Sequence, residues 1–383
     1  MIKKIYAIAL ALCVLSCNNI NKKDDTERAF TIPVSFADKD NILPLSEFID
    51  SVSFIVLETN KQCLIGNVDK IITISDGYLI IDKEIASKIF YFNKEGNFIA
   101  SIGDKGNSRS EYINLEDVTT DGKIVYVLDS RGRKIVCYSL TGEYLDSYPL
   151  PYTAYSFKHI KNKIFAFSCE FTPVNELKKD NSFPSVYIYD FDSKEHICDQ
   201  FFSDKLRYSE LMMTSNNLNP YYLTAYSQKI YEVTPQGLTA LVNFEYPTKE
   251  KDALNDLFES LEKKSNESSK ITDEAKSQIP ILYSFFNLDN VIFFSLMKGS
   301  VIYYNFYYKQ TKELIQCVGI GKMPIKDDIR GNLIFAPYAS EKDNFICIAS
   351  PEQLKGTEGF ENVDDMNNPI LVKLQIKKED AKK

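Results

Sequence analysis

Two histidines, His159 and His196, are the chain's whole supply of imidazole, and they stand far apart in the sequence. No Gly-x-Ser-x-Gly, His-Glu-x-x-His or phosphate-cradling glycine loop occurs. Carboxylates remain as acids and bases, since glycoside hydrolysis needs only two at a defined separation. With 53 Asp and Glu residues, candidate pairs arise by number alone, so abundance selects none. Asp82 and Asp129 stand apart because they end two matching segments. Turn chemistry predicts that each accepts backbone N–H groups from the loop that follows; binding of a cation such as Ca²⁺ is the other role open to them. The body carries Cys63, Cys137, Cys169, Cys198, Cys317 and Cys347 without a Cys-x-x-Cys pair. A zinc site is therefore not expected, and the spacing assigns no disulfide. Cys137 and Cys347 read as small buried strand residues. No catalytic residue, metal site or cofactor is predicted.

Arginine points to recognition instead. Of 45 basic side chains only six are arginine (Arg28, Arg109, Arg131, Arg133, Arg207, Arg330), which leaves 39 lysines as the default surface cation. A rare arginine marks a place where a planar five-donor fork is useful. Arg109 with Glu111 and Tyr112, Asp129 with Arg131, and Arg207 with Tyr208 form the candidate ligand-binding set. Ordinary surface ion pairs, which contribute little, are the competing reading. Tyrosine is abundant at 24 and tryptophan absent, which suits peptide anchoring better than a dedicated sugar platform.

The elements that must hold these residues repeat along the chain. Asp76-Gly77-Tyr78-Leu79-Ile80-Ile81-Asp82 parallels Asp121-Gly122-Lys123-Ile124-Val125-Tyr126-Val127-Leu128-Asp129, and Lys88 to Ile99 matches Lys134 to Leu145 without a gap. Each unit reads as four short strands joined by Asp-Gly and Gly-containing turns, the pattern of antiparallel hairpins. Four strands in a unit of this length make a propeller blade. Ile124 to Leu128, Val291 to Phe294 and Val301 to Tyr304 are almost continuously apolar, as strands covered on both faces must be.

The predicted fold is all-β: a six-bladed β-propeller of four-stranded antiparallel blades. A third blade uses Ile164-Phe165-Ala166-Phe167 and Val186-Tyr187-Ile188-Tyr189, a fourth Tyr221 to Ala225, Lys229 to Thr234 and Leu238 to Phe244, and a fifth runs from Ile281 to Val318. The sixth combines Leu333 to Phe335, Phe345 to Ala349 and Ile370 to Ile376 with an N-terminal strand, Val52 to Leu57, which closes the ring and removes exposed edges. Between blades four and five, residues 249–278 read as a helical insert, with Ala253, Leu254, Leu257, Phe258 and Leu261 on one stripe that packs on the propeller. Long loops at Cys169 to Ser185 and Ser203 to Asn219 open on the same face as the arginine loops, and long loops in compact scaffolds are disproportionately functional.

The termini suggest a compartment. Lys3 and Lys4 precede an apolar run from Ile5 to Leu15, too short for the roughly 20 residues of a membrane span but proportioned as a secretory leader. It ends Val14-Leu15-Ser16-Cys17, which resembles the lipobox of bacterial lipoproteins. The resemblance implies removal of residues 1–16 and acylation of Cys17. Residues 17–29 are polar enough for a flexible tether; Lys23-Asp24-Asp25 resembles a surface-display signal. Residues 30–377 form the propeller, and 378–383 a charged tail. Loss of Lys3 and Lys4, with no acid, takes the formal net charge from −8 to −10. That acidity, without a basic stripe, excludes nucleic acid as a natural partner.

Tyr126-Val127-Leu128-Asp129-Ser130-Arg131-Gly132-Arg133-Lys134-Ile135-Val136-Cys137-Tyr138, followed by Gly142, is similar to the NHL-type repeat. Leu57-Glu58-Thr59, Leu64-Ile65-Gly66, Lys70-Ile71, Ile102 to Gly106 and Glu111-Tyr112 together resemble the six-bladed propeller lipoproteins of anaerobic Gram-negative gut bacteria. Gly106-Asn107-Ser108-Arg109-Ser110-Glu111-Tyr112 lacks the Gly-x-Gly-Pro-Gly-Glu-Tyr form usual there. The resemblance implies a fold and an exported, outer-membrane setting, on the cell surface or the periplasmic side, and no reaction. The expected function is binding of a peptide, glycan or envelope protein, with the membrane engaged through Cys17. The alternative is a carboxylate- or metal-dependent hydrolase or lyase.

Overall fold

A computed structural model describes residues 29–36, 43–150, 154–168, 186–200, 220–223, 226, 228–262, 277–320, 325, 327–329, 333–361 and 363–378. Two strands precede the first blade: β1 (Phe30–Pro33) and β2 (Ile49–Val56). Blade one is β3 (Lys70–Ile74), β4 (Gly77–Asp82), β5 (Lys88–Asn93) and β6 (Phe98–Ile102). Blade two is β7 (Asp117–Thr120), β8 (Ile124–Asp129), β9 (Lys134–Ser139) and β10 (Tyr144–Pro149). Blade three is β11 (Ser156–Lys161), β12 (Ile164–Ser168), β13 (Val186–Asp190) and β14 (Glu195–Gln200). In blade four, β15 (Tyr221–Tyr222), β16 (Lys229–Thr234) and β17 (Gly237–Glu245) pair in order, and β1 is added outside β17. Blade five is β18 (Ile281–Asn287), β19 (Val291–Lys298), β20 (Val301–Tyr308) and β21 (Leu314–Ile320). Blade six is β22 (Ala339–Glu341), β23 (Asn344–Ala349) and β24 (Ile370–Ile376), closed by β2.

Ring closure uses antiparallel pairing of β2 with β24, Val52 opposite Leu374 and Phe54 opposite Val372. Blade four has a second N-terminal closure, which the apolar pattern does not announce. β1 runs parallel to β17, Phe30 opposite Val242 and Ile32 opposite Phe244, and supplies the strand that blade four lacks in sequence. It is the exception to the antiparallel rule. The chain leaving β17 does not fold back as a hairpin but enters α1 (Thr248–Glu262), so the outer position is open to a strand from elsewhere.

Alternation along the middle strands sorts side chains between two blade interfaces. Val125 and Val127 of β8 pack with Leu79 and Ile81 of blade one. Tyr126 and Leu128 pack with Phe157 and Phe165 of blade three. Both faces are dry, which is why the strand reads as an unbroken apolar run. Each such side chain stabilises by about 1.5–3 kcal/mol on full burial.

Blade six departs from its predicted strands. Leu333 and Phe335 are buried, but the innermost strand is β22; they belong to a non-strand segment that fills the interface with Phe293 and Phe345. Apolar composition made that segment resemble a strand, although its backbone makes no ladder. In the helical insert, α1 buries Ala253 and Leu254 against Ile279, with Leu257 and Phe258 alongside. Glu250 of α1 accepts from Lys298 Nζ at 2.7 Å, and that ammonium sits 4.1 Å from the Phe36 ring centroid. Residues 263–276 lie outside the described residues, as do 1–28 and the loop segments 169–185 and 201–219.

Candidate functional site

Successive strands of a blade run in opposite directions, so the loops from one blade to the next share a face with the loops between second and third strands. Two buried carboxylates knit these two loop sets together. Asp82, at the end of β4, accepts N–H bonds from Gly66 (2.7 Å) and Asn67 (3.0 Å) of the incoming loop. It also accepts from Ile85 and Ala86, both at 2.9 Å, in the loop to β5. Asp129 repeats the arrangement with Ile113 (2.9 Å), Asn114 (3.3 Å) and Gly132 (2.8 Å). Both residues are fully buried. A Cβ at Gly132 would lie 2.1 Å from the Asp129 carboxylate, so glycine is required for the loop to close on it.

Asp129 is therefore an architectural clamp. Its oxygens accept three backbone N–H groups in a fully buried position, and no ligand can reach them without opening the loop. Tyr112 is likewise internal: it is fully buried and its hydroxyl donates to the Ser87 carbonyl at 2.8 Å. Gly103, at φ +72°, passes beneath its ring where a Cβ would collide at 2.7 Å. Burial lifts the Tyr112 hydroxyl above its ordinary pKa, so it remains a neutral donor. Glu111 accepts from the Ser108 N–H at 2.8 Å, and that bond holds its carboxyl below the usual range. Thus Tyr112 and Glu111 shape the loop, and its exposed member is Arg109. That side chain is 76% exposed and 3.7 Å from Asp146, which is 47% exposed. Arg131 is exposed as well, its backbone N–H donated to Asn114 Oδ1 at 3.2 Å. No contact joins the two arginine side chains among the described residues. Arg207 and Tyr208 lie outside those residues, and so does Cys17.

His159 is absorbed structurally, stacked on the Tyr126 ring at 5.1 Å with Nε2 2.8 Å from the Asn162 carbonyl. Cys63, Cys137, Cys317 and Cys347 are buried free thiols, and burial pushes Cys137 and Cys347 up to about 12. They are poor nucleophiles, which need the thiolate.

Two features of this face were not singled out from sequence. Large apolar side chains exposed among the described residues concentrate there: Leu64, Tyr155, Ile329, Ile334 and Tyr338 on blade-to-blade loops, Ile85 and Met366 on second-to-third-strand loops. Ile85 is 68% and Met366 82% exposed. The other such residues lie on strands, four of them on outermost ones, and none on the turns of the opposite face. The second feature lies where the innermost strands begin. Lys70 of β3 donates to Asp117 Oδ1 at 2.7 Å and to the Val118 carbonyl at 2.8 Å. Asp117 Oδ2 accepts from Ser156 Oγ (3.2 Å) and the Phe157 N–H (3.1 Å). Lys158 of β11 faces both Lys70 and Asp117 while only 2% exposed. Burial first, then the Lys70 charge, drives its amine well below the usual lysine range against the pull of Asp117. The available signal was weak: Lys158 stands among other polar residues in Ser156-Phe157-Lys158-His159-Ile160, and nothing there marks it as buried.

Among the described residues no helix is long and apolar enough to cross a membrane. No curated protein matches the chain. A protein of Bacteroides fragilis described as exported aligns with a TM-score of 0.67 at 20% identity, over 92% of this chain and 99% of that one. A member of the DUF4221 family from Bacteroides vulgatus aligns at a TM-score of 0.49 and 7% identity, over 89% and 99%. The first likeness speaks for the fold. A family model spans residues 29–381, which takes in all six blades and both sets of face-forming loops, and this chain accordingly belongs to the family described as Domain of unknown function (DUF4934).

Proposed function

We propose that this chain is an exported, lipid-anchored propeller that binds a ligand on its loop-rich face. The observation that carries the reading is the gathering of exposed apolar side chains on the loops of that face. Apolar residues collected on one side, rimmed by polar groups such as Arg109 and Arg131, mark interaction surfaces. Peptide, glycan and envelope protein all fit such a face. An exported protein of similar fold in Bacteroides fragilis supports the compartment, as do the apolar leader and Cys17.

A thermal-shift panel of neutral glycans and peptides, applied to the chain from Asn18 onward, tests the binding reading, because a ligand of the native state raises its melting temperature. Met366→Glu and Ile334→Glu are expected to change intrinsic stability by no more than about 0.5 kcal/mol while abolishing the shift from any ligand the unaltered chain binds. Shifts that survive both substitutions would place binding elsewhere. For the anchor, radiolabelled palmitate supplied to a Gram-negative host is expected to label the full chain and not its Cys17→Ala variant. An unlabelled wild-type chain would remove the lipid anchor.

A further inference from the structure

The Lys70–Asp117–Lys158 cluster is built from the innermost strands of blades one, two and three, and it sets two amines beside one carboxylate. Lys70 and Lys158 come from blades that are not neighbours in the ring, so they can approach each other only along the channel side of blade two, where Asp117 stands. Asp117 has nothing left to give: Oδ1 accepts from Lys70 and from the Val118 N–H at 2.8 Å, and Oδ2 from Ser156 and Phe157. Lys158 is 98% buried as a residue, and its charged neighbours are Lys70 and Asp117. Two amines crowded on one carboxylate in such a place are costly. The flanking side chains of Lys70 and Asp117 are 20% and 13% exposed, so the cluster opens to the channel.

We propose that the mouth of the central channel receives the carboxylate of a ligand, its two oxygens accepting from Lys158 and Lys70. This rests on the reading of the loop-rich face as a binding face and names the chemical group that the ligand carries. The charge count selects the group. In the bound state both amines are protonated, and with the Asp117 carboxylate they leave a single positive charge, which a monocarboxylate neutralises. A phosphate dianion would leave a negative charge desolvated beside Asp117. Acidic sugars and peptide C-termini both offer a monocarboxylate.

The experiment is a calorimetric titration of the chain from Asn18 to Lys383 with two matched probe pairs and one control. The pairs are D-galacturonate with its methyl ester, and dialanine with its C-terminal amide; the control is inorganic phosphate. One acid is expected to bind at least about tenfold more tightly than its neutral partner, a difference of about 1.4 kcal/mol. Binding should take up protons above neutral pH, because a bound carboxylate restores the charge of Lys158 against Lys70 and beside Asp117. Lys158→Met should lose the acid preference while melting at or above the wild-type temperature. A galacturonate preference assigns the site to acidic glycans, and a dialanine preference to peptide ends.

The comparison of acid with neutral partner needs only the unaltered chain, so it decides the question even if Lys158→Met fails to fold. Equal affinity within both pairs, or tighter binding of phosphate than of either acid, overturns the carboxylate site. If neutral ligands still shift the melting temperature in that event, the binding face stands without it. Silence to every probe in both screens overturns the two together.

Discussion

Asp117→Ala is expected to destabilise the propeller by about 3–5 kcal/mol, the usual cost of removing one partner from a buried ion pair. The substitution removes the carboxylate that Lys70 and Lys158 share. It also strips the acceptor from the Phe157 N–H and Ser156 hydroxyl, which tie blade two to blade three. Urea denaturation reads the loss, and its pH dependence identifies the cause. In the wild type, burial opposes ionisation of Asp117, but Lys70, Lys158 and the Phe157 N–H outweigh it and hold the carboxyl below its usual range. A depressed folded pKa contributes stability that is fully present above the ordinary aspartate value near ~4 and is lost as pH falls through the folded value. The variant should lose this acid-range dependence. What remains is the contribution that burial of Lys158 makes in both forms: its amine resists protonation in the folded state, so the unfolded chain binds more protons and stability rises with pH toward the lysine range. A loss below about 1 kcal/mol, the ordinary effect of a point substitution, would mean that the cluster does not brace these blades.

Asp82→Ala should cost a comparable amount, about 3–5 kcal/mol, by a different route. Four backbone N–H groups, from Gly66, Asn67, Ile85 and Ala86, lose a charged acceptor at once. Hydrogen bonds to charged groups contribute about 1.5–3 kcal/mol each, and a buried donor left unpaired costs about 1–3 kcal/mol. The loops recover part of this by opening to water, which keeps the total below the simple sum. Asp82→Asn restores little, because its amide nitrogen faces two N–H donors. Hydrogen exchange is the direct measurement: those four amides should lose protection while the strands of blade four keep theirs. Unchanged protection at Gly66 and Ile85 would show that the carboxylate is not what joins the two loops.

These predictions concern residues that differ in how far the sequence announced them. Asp82 and Asp129 were legible because their role is local: strand, carboxylate and turn donors lie within about twenty residues, so the matching segments expose the pattern twice. Tyr112 belongs to the same loop system, but its side chain turns inward beneath Gly103 and toward Ser87. Its loop placed it on the right face, and sequence carried no sign of which way the ring points. The exposed loop residues Ile85, Ile334 and Met366 were invisible for a related reason. A lone apolar residue in a loop says nothing until its neighbours on other blades are known.

The pattern of short apolar runs and glycine turns was sufficient by itself to determine six blades, their four-stranded form and closure through Val52 to Leu57, because hairpins are local and a strand covered on both faces has a recognisable composition. Tertiary structure alone decided three things. It carried Phe30–Pro33 more than two hundred residues along the chain to complete blade four, beside a strand whose own continuation had become a helix. It made Leu333 and Phe335 interface filler instead of strand. It also brought Lys70, Asp117 and Lys158 together, since the innermost strands of three successive blades converge only when the blades pack around the channel, and the energy of a buried charge depends on what stands beside it.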